Sequence, residues 1–137
     1  MPRFREKAGD VGLKGLIELS FSDWEGRMSS VLFTGGCNFR CPYCHNRDLA
    51  LGGAGIDDMP YDLVKERLDA QKLWVDSVVI TGGEPTLHRG MTAVMADLKS
   101  SGYRVKLDTN GTSPDYLRQL ILNGLIDCIA MDVKGPL

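Results

Sequence analysis

The sequence has no excess of basic residues. Its 16 lysines and arginines are outnumbered by 18 aspartates and glutamates, which gives a formal net charge of -2. A protein that binds nucleic acid or an anionic membrane surface in general needs a basic surplus to neutralise phosphates. We therefore expect neither nucleic acid nor a membrane among the partners of this chain.

Long apolar runs are also absent. The charged segment 1–7 is followed by no stretch that could serve as a signal peptide or a transmembrane helix. The glycines of segment 49–58 are not followed by the Gly-Lys-Ser/Thr ending of a phosphate-binding loop, so we predict a surface loop there. The expected compartment is the cytoplasm, where thiols stay reduced.

Cysteine is scarce but clustered. Three of the four cysteines, Cys37, Cys41 and Cys44, fall within eight positions. Thiolates this close in sequence can share a metal ion or a cluster, and their spacing differs from the paired spacing of ordinary zinc fingers. A cubane iron-sulfur cluster normally takes four thiolates, so three would leave one iron open to a substrate or cofactor.

Zinc binding and disulfide formation are two other possible uses of these cysteines. A structural zinc site needs a fourth ligand, and His45 is poorly placed because it directly follows Cys44. Three cysteines cannot pair evenly in disulfides, and Cys128 lies far along the chain in an apolar segment. The residues favour a cluster, while zinc stays open as the lesser alternative.

Length and composition predict one globular domain. The chain has 137 residues, and its 43% hydrophobic and 25% charged residues are typical of such a domain. We expect residues 1–137 to form a single core domain that is C-terminally incomplete, with residues 1–12 as a flexible N-terminus. Apolar runs predict strands at 16–21, 28–34, 77–81, 103–107 and 128–131.

Helices are predicted between the later strands. Pro60 suits a helix start, and apolar residues follow at helical spacing. The second helix is predicted around two methionines expected in the core, with Gly102 as its stop. The third starts at Pro114 with Ser113 as its cap, and Ile121 is expected to face inward. The apolar positions of the three helices are Tyr61, Val64 and Leu68; Met91, Val94, Met95 and Leu98; and Leu117, Leu120 and Ile121.

Alternating strands and helices predict an α/β fold with a parallel sheet. Each of four predicted strands is followed by a polar cluster: the cysteine motif, then segments 82–85, 108–111 and 132–134. The carboxyl ends of parallel strands share one edge, where ligand-binding residues collect. Any one cluster could be an ordinary turn, but four in register predict a binding site.

These motifs resemble a known family. The spacing of Cys37, Cys41 and Cys44, with Tyr43 before the last cysteine and Gly82-Gly83-Glu84-Pro85 further on, is similar to the signature of radical S-adenosylmethionine enzymes. Within that superfamily, segments 43–48, 107–111 and 131–134 resemble the activating enzymes of glycyl radical enzymes. The resemblance extends over nearly the whole chain.

The resemblance implies a cofactor and a set of site residues. It implies that Cys37, Cys41 and Cys44 hold a 4Fe-4S cluster whose open iron takes S-adenosylmethionine, and that an electron from the cluster cleaves this cofactor to methionine and a 5'-deoxyadenosyl radical. It also implies a monovalent cation near Asp108, Thr109 and Met131. The implied cofactor-binding residues are Tyr43 by the adenine, Gly82, Gly83 and Glu84 by the methionine ammonium, and Asp108, Thr109, Asp132 and Lys134 by the carboxylate.

The resemblance further implies an architecture and partners. The implied fold is a partial, truncated radical-SAM-type barrel of about four strands. The implied target is a glycyl radical enzyme such as the large subunit of anaerobic ribonucleotide reductase, with flavodoxin or ferredoxin as electron donor. Two alternatives stay open: a radical enzyme acting on a small molecule such as a deazaguanine precursor, and a noncatalytic cluster-binding module. His45 has no assigned role, and His88 and Cys128 are assigned to structure.

Overall fold

The computed structural model of the protein describes residues 13–35, 59–82, 84–88 and 90–131. Within these ranges the chain forms one five-stranded sheet whose strand order follows the order of the sequence. The strands are β1 (Leu13–Ser20), β2 (Ser29–Thr34), β3 (Ser77–Gly82), β4 (Arg104–Thr109) and β5 (Cys128–Met131). The predictions for residues 1–12 and 49–58 concern parts of the chain outside the described ranges.

The sheet is parallel from β2 to β5, as predicted, while β1 pairs with β2 in the antiparallel direction. The predicted strand at 16–21 is confirmed with shifted ends. Its place beside β2 was not predicted, because periodicity indicates a strand without naming its neighbour. Antiparallel strands can be joined by a short connection, whereas parallel neighbours need a long crossover. The short connection between β1 and β2 is therefore compatible with their antiparallel pairing.

In the described ranges, three helices cross one face of the sheet: α1 (Tyr61–Ala70), α2 (Met91–Ser100) and α3 (Pro114–Leu122), with a short 3-10 helix at Pro85–Leu87. The starts predicted at Pro60 and Pro114 and the stop at Gly102 are confirmed. Gly102 has φ +89°, and its N–H bonds to Lys99 O at 3.0 Å, which closes the last turn of α2. Ser113 occupies the N-cap position of α3, which confirms the predicted position of the cap, although its side chain makes no capping hydrogen bond.

The main core lies between the helices and the sheet. Met91 and Met95 are fully buried there, which confirms them as core residues. Ile121 is 51% exposed, so the prediction that it faces inward is wrong. Tyr116, Leu117 and Leu120 already form the buried stripe of α3, and the next residue along the helix points away from the sheet.

The opposite face of the sheet carries both apolar and charged residues. Val31 and Val79 are fully buried there, and Val79 lies beside Lys106 in the register of β3 and β4. The Lys106 ammonium donates a 2.6 Å hydrogen bond to the carbonyl oxygen of Asp23, in the connection between β1 and β2. That connection therefore covers part of this second face.

None of the described helices combines the length and the apolarity needed to cross a membrane.

Candidate cofactor-binding edge of the sheet

The carboxyl ends of the parallel strands lie side by side, as the polar clusters predicted. Thr34 at the end of β2 pairs in register with Gly82 at the end of β3, and Thr109 at the end of β4 pairs with Met131 at the end of β5. The loops that follow these strands consequently emerge at one edge. Among the predicted site residues, the structure brings Gly82, Glu84, Asp108 and Thr109 to this edge.

At Gly82 the backbone of β3 lies close against the backbone of β2. Its φ is +114°, a conformation that residues with a Cβ rarely adopt. A Cβ added there would overlap the backbone nitrogen and oxygen of Thr34. The glycine is thus required by the packing of two protein backbones, and the predicted contact of Gly82 with a cofactor stays a prediction.

Glu84 is a buried carboxylate that joins two loops. It is 1% exposed. Its Oε2 accepts hydrogen bonds from the Thr86 N–H at 3.1 Å, from the Thr86 hydroxyl, and from the Thr109 hydroxyl at 2.7 Å. Its Oε1 accepts from the Asn110 N–H at 2.7 Å. The loop after β3 is therefore tied to the end of β4 through one side chain, and the predicted pairing of Glu84 with a cofactor ammonium stays a prediction.

Asp108 differs from Glu84 in having an incompletely paired carboxylate. Its Oδ1 is buried and has no hydrogen-bond partner among the described residues; the Lys106 ammonium lies 3.5 Å away. Burial raises the pKa of the Asp108 carboxyl above its ordinary value, although Lys106 and the Thr81 side chain act in the opposite direction. A carboxylate oxygen in this state fits an added cationic group at the edge, such as an ammonium or a metal ion.

The remaining predicted site residues lie outside the described ranges: Cys37, Cys41, Cys44, Tyr43, Gly83, Asp132 and Lys134, together with His45. Within the ranges given above, no three His, Cys, Asp or Glu side chains are grouped so that they could hold a metal ion. The assignment of the cluster ligands accordingly rests on the sequence motif. Cys128 is a free, half-buried thiol in β5.

Sequence reasoning missed several groups at this edge. Thr86, two residues after Glu84, and Asn110, 26 residues after it, both donate hydrogen bonds to its carboxylate. No sequence pattern identifies them as its partners. Lys106 could have been found, because strand alternation places it on the same face as Asp108. His88, whose Nε2 lies 2.6 Å from the Gly35 carbonyl oxygen, was assigned to structure.

A mostly parallel α/β sheet with polar groups at its carboxyl edge is the architecture of an α/β protein that binds its ligand at that edge. The model of the Radical SAM superfamily matches residues 31–137, and the chain belongs to this family. Membership implies a 4Fe-4S cluster and S-adenosylmethionine. The incompletely paired Oδ1 of Asp108 fits the positive charge that this cofactor carries.

Two relatives in Methanocaldococcus jannaschii carry the name "putative glycyl-radical enzyme activating enzyme". One is 40% identical over 126 residues, covering 89% of this chain and 50% of the relative. The other is 34% identical over 127 residues, covering 93% of this chain and 45% of the relative. The chain thus spans about half the length of these curated relatives.

Other relatives have different names. The 7-carboxy-7-deazaguanine synthase of Aquifex aeolicus is 40% identical over 77 residues, which cover 56% of this chain and 33% of that protein. Among solved structures, QueE from Escherichia coli superposes with a TM-score of 0.59 over 73% of this chain and 52% of that one. At 18% identity, this likeness concerns the fold alone.

Proposed function

We propose that this chain is the radical S-adenosylmethionine core of an enzyme that generates a glycyl radical on a partner protein. The observation that carries the proposal is the 40% identity over 126 residues to a relative named for glycyl-radical enzyme activation. The identity to the deazaguanine synthase covers only 77 residues. The proposed partner is anaerobic ribonucleoside-triphosphate reductase, with flavodoxin or ferredoxin as electron donor.

Cys37, Cys41 and Cys44 would hold the cluster through their thiolates. A reduced cluster held by these thiolates would supply the one-electron chemistry that converts S-adenosylmethionine to methionine and, with a hydrogen atom taken from the target glycine, to 5'-deoxyadenosine. The thiolates of this chain would leave one coordination position free, because the motif supplies three ligands for four irons. The open position is what lets a cofactor bind directly at the metal.

In this proposal the described edge would supply the electrostatics of cofactor binding. The buried Glu84 carboxylate, expected by the ammonium, already accepts four hydrogen bonds within the protein. We therefore propose Asp108 instead as the acceptor of the methionine ammonium or of a monovalent cation, since its Oδ1 lacks a hydrogen-bond partner in the described part of the chain. Thr109 and Met131, the other two residues expected by the cation, are neighbours in the register of β4 and β5. Thr109 and Glu84 hold this end of β4 in position through their 2.7 Å hydrogen bond. Lys134 and Asp132 would complete the pocket for the cofactor carboxylate.

The test is an anaerobic assay with the reconstituted chain, S-adenosylmethionine, a chemical reductant and purified reductase. We expect a glycyl doublet in the EPR spectrum of the reductase and stoichiometric 5'-deoxyadenosine. Cys41→Ala is the matched control, and it should lose the brown chromophore and both products. Formation of 5'-deoxyadenosine without a glycyl signal would reject the proposed partner.

A second candidate function is favoured by the 40% identity to the deazaguanine synthase. In that case the radical would act on a small molecule, and 7-carboxy-7-deazaguanine would form without any protein partner. Chromatography of the same reaction mixtures with the small-molecule substrate distinguishes the two. Iron incorporation with no cleavage of S-adenosylmethionine under any condition would instead indicate a noncatalytic cluster-binding module.

A further inference from the structure

The imidazole of His88 bridges two loops at the carboxyl edge of the sheet. Its Nε2 lies 2.6 Å from the backbone carbonyl oxygen of Gly35, a buried residue that directly follows β2. A carbonyl oxygen only accepts hydrogen bonds, so Nε2 carries a proton and is the donor. The chain reaches Cys37, the first cysteine of the motif, two positions after Gly35.

The backbone of His88 is itself held in place. Its N–H donates to Pro85 O at 3.1 Å, and its carbonyl accepts from the Met91 N–H at 3.0 Å, at the start of α2. At the other end of the same segment, Glu84 is bonded to Thr109 at 2.7 Å. The imidazole consequently projects from a segment that is anchored to both α2 and β4.

The His88 hydrogen bond attaches Gly35 to the anchored segment between the neighbouring strand β3 and α2. The pairing of Thr34 with Gly82 ends the β2–β3 register, so the His88 bond is a further link beyond the last paired residues. A link at this position restrains the direction in which the chain leaves β2. Hydrogen bonds made directly to metal ligands set their orientation, and losing one typically costs about 10- to 100-fold in metal affinity. The His88 bond acts one step further out, on the backbone two residues before Cys37, so an effect at the lower end of that range is expected.

We propose that His88 is a positioning residue for the cluster: by holding the Gly35 carbonyl, it fixes the point at which the chain enters the Cys37–Cys44 motif. The inference rests on the cluster-binding part of the proposed function and is independent of the glycyl radical partner. His88 itself makes no contact with the cluster in this proposal. Its effect passes through the backbone of Gly35.

The test compares three variants by the rate at which anaerobically reconstituted protein loses iron to a chelator. His88→Met keeps an apolar chain of similar length without a donor, and His88→Gln places an amide nitrogen near the position of Nε2. We expect iron release about 10-fold faster in His88→Met and within about twofold of the unmodified chain in His88→Gln. Thr92→Val is the matched control, because it removes a 2.7 Å hydrogen bond to Tyr116 between two helices.

Thermal unfolding of the metal-free variants separates positioning from general stability. Equal losses of stability in His88→Met and Thr92→Val, with fast iron release in His88→Met alone, would support the proposal. Iron release in His88→Met as slow as in the unmodified chain would overturn it. Fast release in Thr92→Val as well would also overturn it, because any lost hydrogen bond would then have the same effect.

A fourth variant keeps the proposal testable if His88→Met does not fold. The Asn side chain in His88→Asn is one methylene shorter than that of Gln, so its amide nitrogen lies near the position of Nδ1 and does not reach Gly35. Of these two variants, only His88→Gln should retain iron normally. Equal retention by the Gln and Asn variants would overturn the proposal. These iron-release measurements contain no reductase and do not depend on the glycyl radical partner. If the variants differ in iron release as expected but no glycyl radical forms on the reductase, the proposed function is rejected and the role of His88 is retained.

Discussion

The hydroxyl of Thr109 donates a 2.7 Å hydrogen bond to Oε2 of Glu84, and this bond joins the end of β4 to the loop after β3. The same hydroxyl accepts a 3.1 Å hydrogen bond from the Gly111 N–H. One threonine thus pairs two groups at once in a buried place. If the hydroxyl were removed, the Glu84 carboxylate and the Gly111 N–H would each lose a hydrogen-bond partner.

Replacing Thr109 by valine should destabilise the chain by about 1–3 kcal/mol, because a buried carboxylate oxygen and a backbone N–H each lose a partner. Thr109→Ser keeps the hydroxyl and should recover most of that loss. The measurement is the urea midpoint of the cofactor-free chain. A Thr109→Val variant as stable as Thr109→Ser would show that the hydroxyl contributes nothing to folding.

Replacing Gly82 by alanine should cost about 3 kcal/mol or more, since the new Cβ would overlap the Thr34 backbone in addition to the strain of a positive φ. Gly124→Ala is the matched control. Gly124 has φ +68° with no atom near the added Cβ, so only backbone strain of about 1 kcal/mol is expected. Circular dichroism during thermal unfolding measures both, and equal losses would contradict the proposed overlap.

Asp108→Asn should stabilise the cofactor-free chain at pH 7 by about 0.5–1 kcal/mol, a gain typical of removing an unfavourable functional group. Burial raises the pKa of the Asp108 carboxyl in the folded state, so its contribution to stability is present at low pH and is lost as the pH rises through the folded pKa. The gain should therefore shrink as the pH is lowered toward 4, near the ordinary aspartate pKa of about 3.9.

If Asp108 accepts the ammonium of S-adenosylmethionine, Asp108→Asn should weaken binding of this cofactor by about 10-fold or more. A 10-fold change corresponds to about 1.4 kcal/mol. Equilibrium binding to the reconstituted chain measures this. A variant that is less stable at pH 7 and binds the cofactor normally would contradict both expectations, and Asp108 would then be a structural residue.

Asp127→Asn should destabilise the chain at pH 7 by about 1 kcal/mol, a modest value because water screens this partly exposed carboxylate. Asp127 accepts the Lys99 ammonium at 2.6 Å and the Val105 N–H at 2.8 Å. Partial burial alone would raise the pKa of the Asp127 carboxyl, but these two donors outweigh it and lower the pKa.

Because the pKa of the Asp127 carboxyl is lowered in the folded state, its contribution to stability has the opposite pH dependence to that of Asp108. The stabilisation by Asp127 is present above its unfolded pKa of about 3.9 and is lost as the pH falls through the folded value. Unfolding midpoints at pH 7 and pH 3 should show the difference between Asp127→Asn and the unmodified chain shrinking at the lower pH. A constant difference would indicate that the ionised form of Asp127 has no special role.

Much of this fold could be predicted because each strand of the parallel sheet is a short apolar run followed by turn residues. The convergence of Glu84 and Thr109 followed from the rule that carboxyl ends share an edge. The partners of Glu84 could not be predicted, since hydrogen bonds across loops depend on backbone geometry that a single sequence does not display. Ile121 was placed wrongly because a residue beside the apolar stripe of a helix is only marginally turned toward the core.

Strand order in the sheet equals strand order in the chain. Each described strand after β1 therefore pairs with the described strand made before it, so its partner in the sheet has already been synthesised. We expect the sheet to grow in one direction during synthesis, so pulse-labelled hydrogen exchange should protect β2 and β3 before β5. The cysteine motif lies between β2 and β3, so the metal-binding segment would be framed by paired strands while the later loops of the edge are still being made.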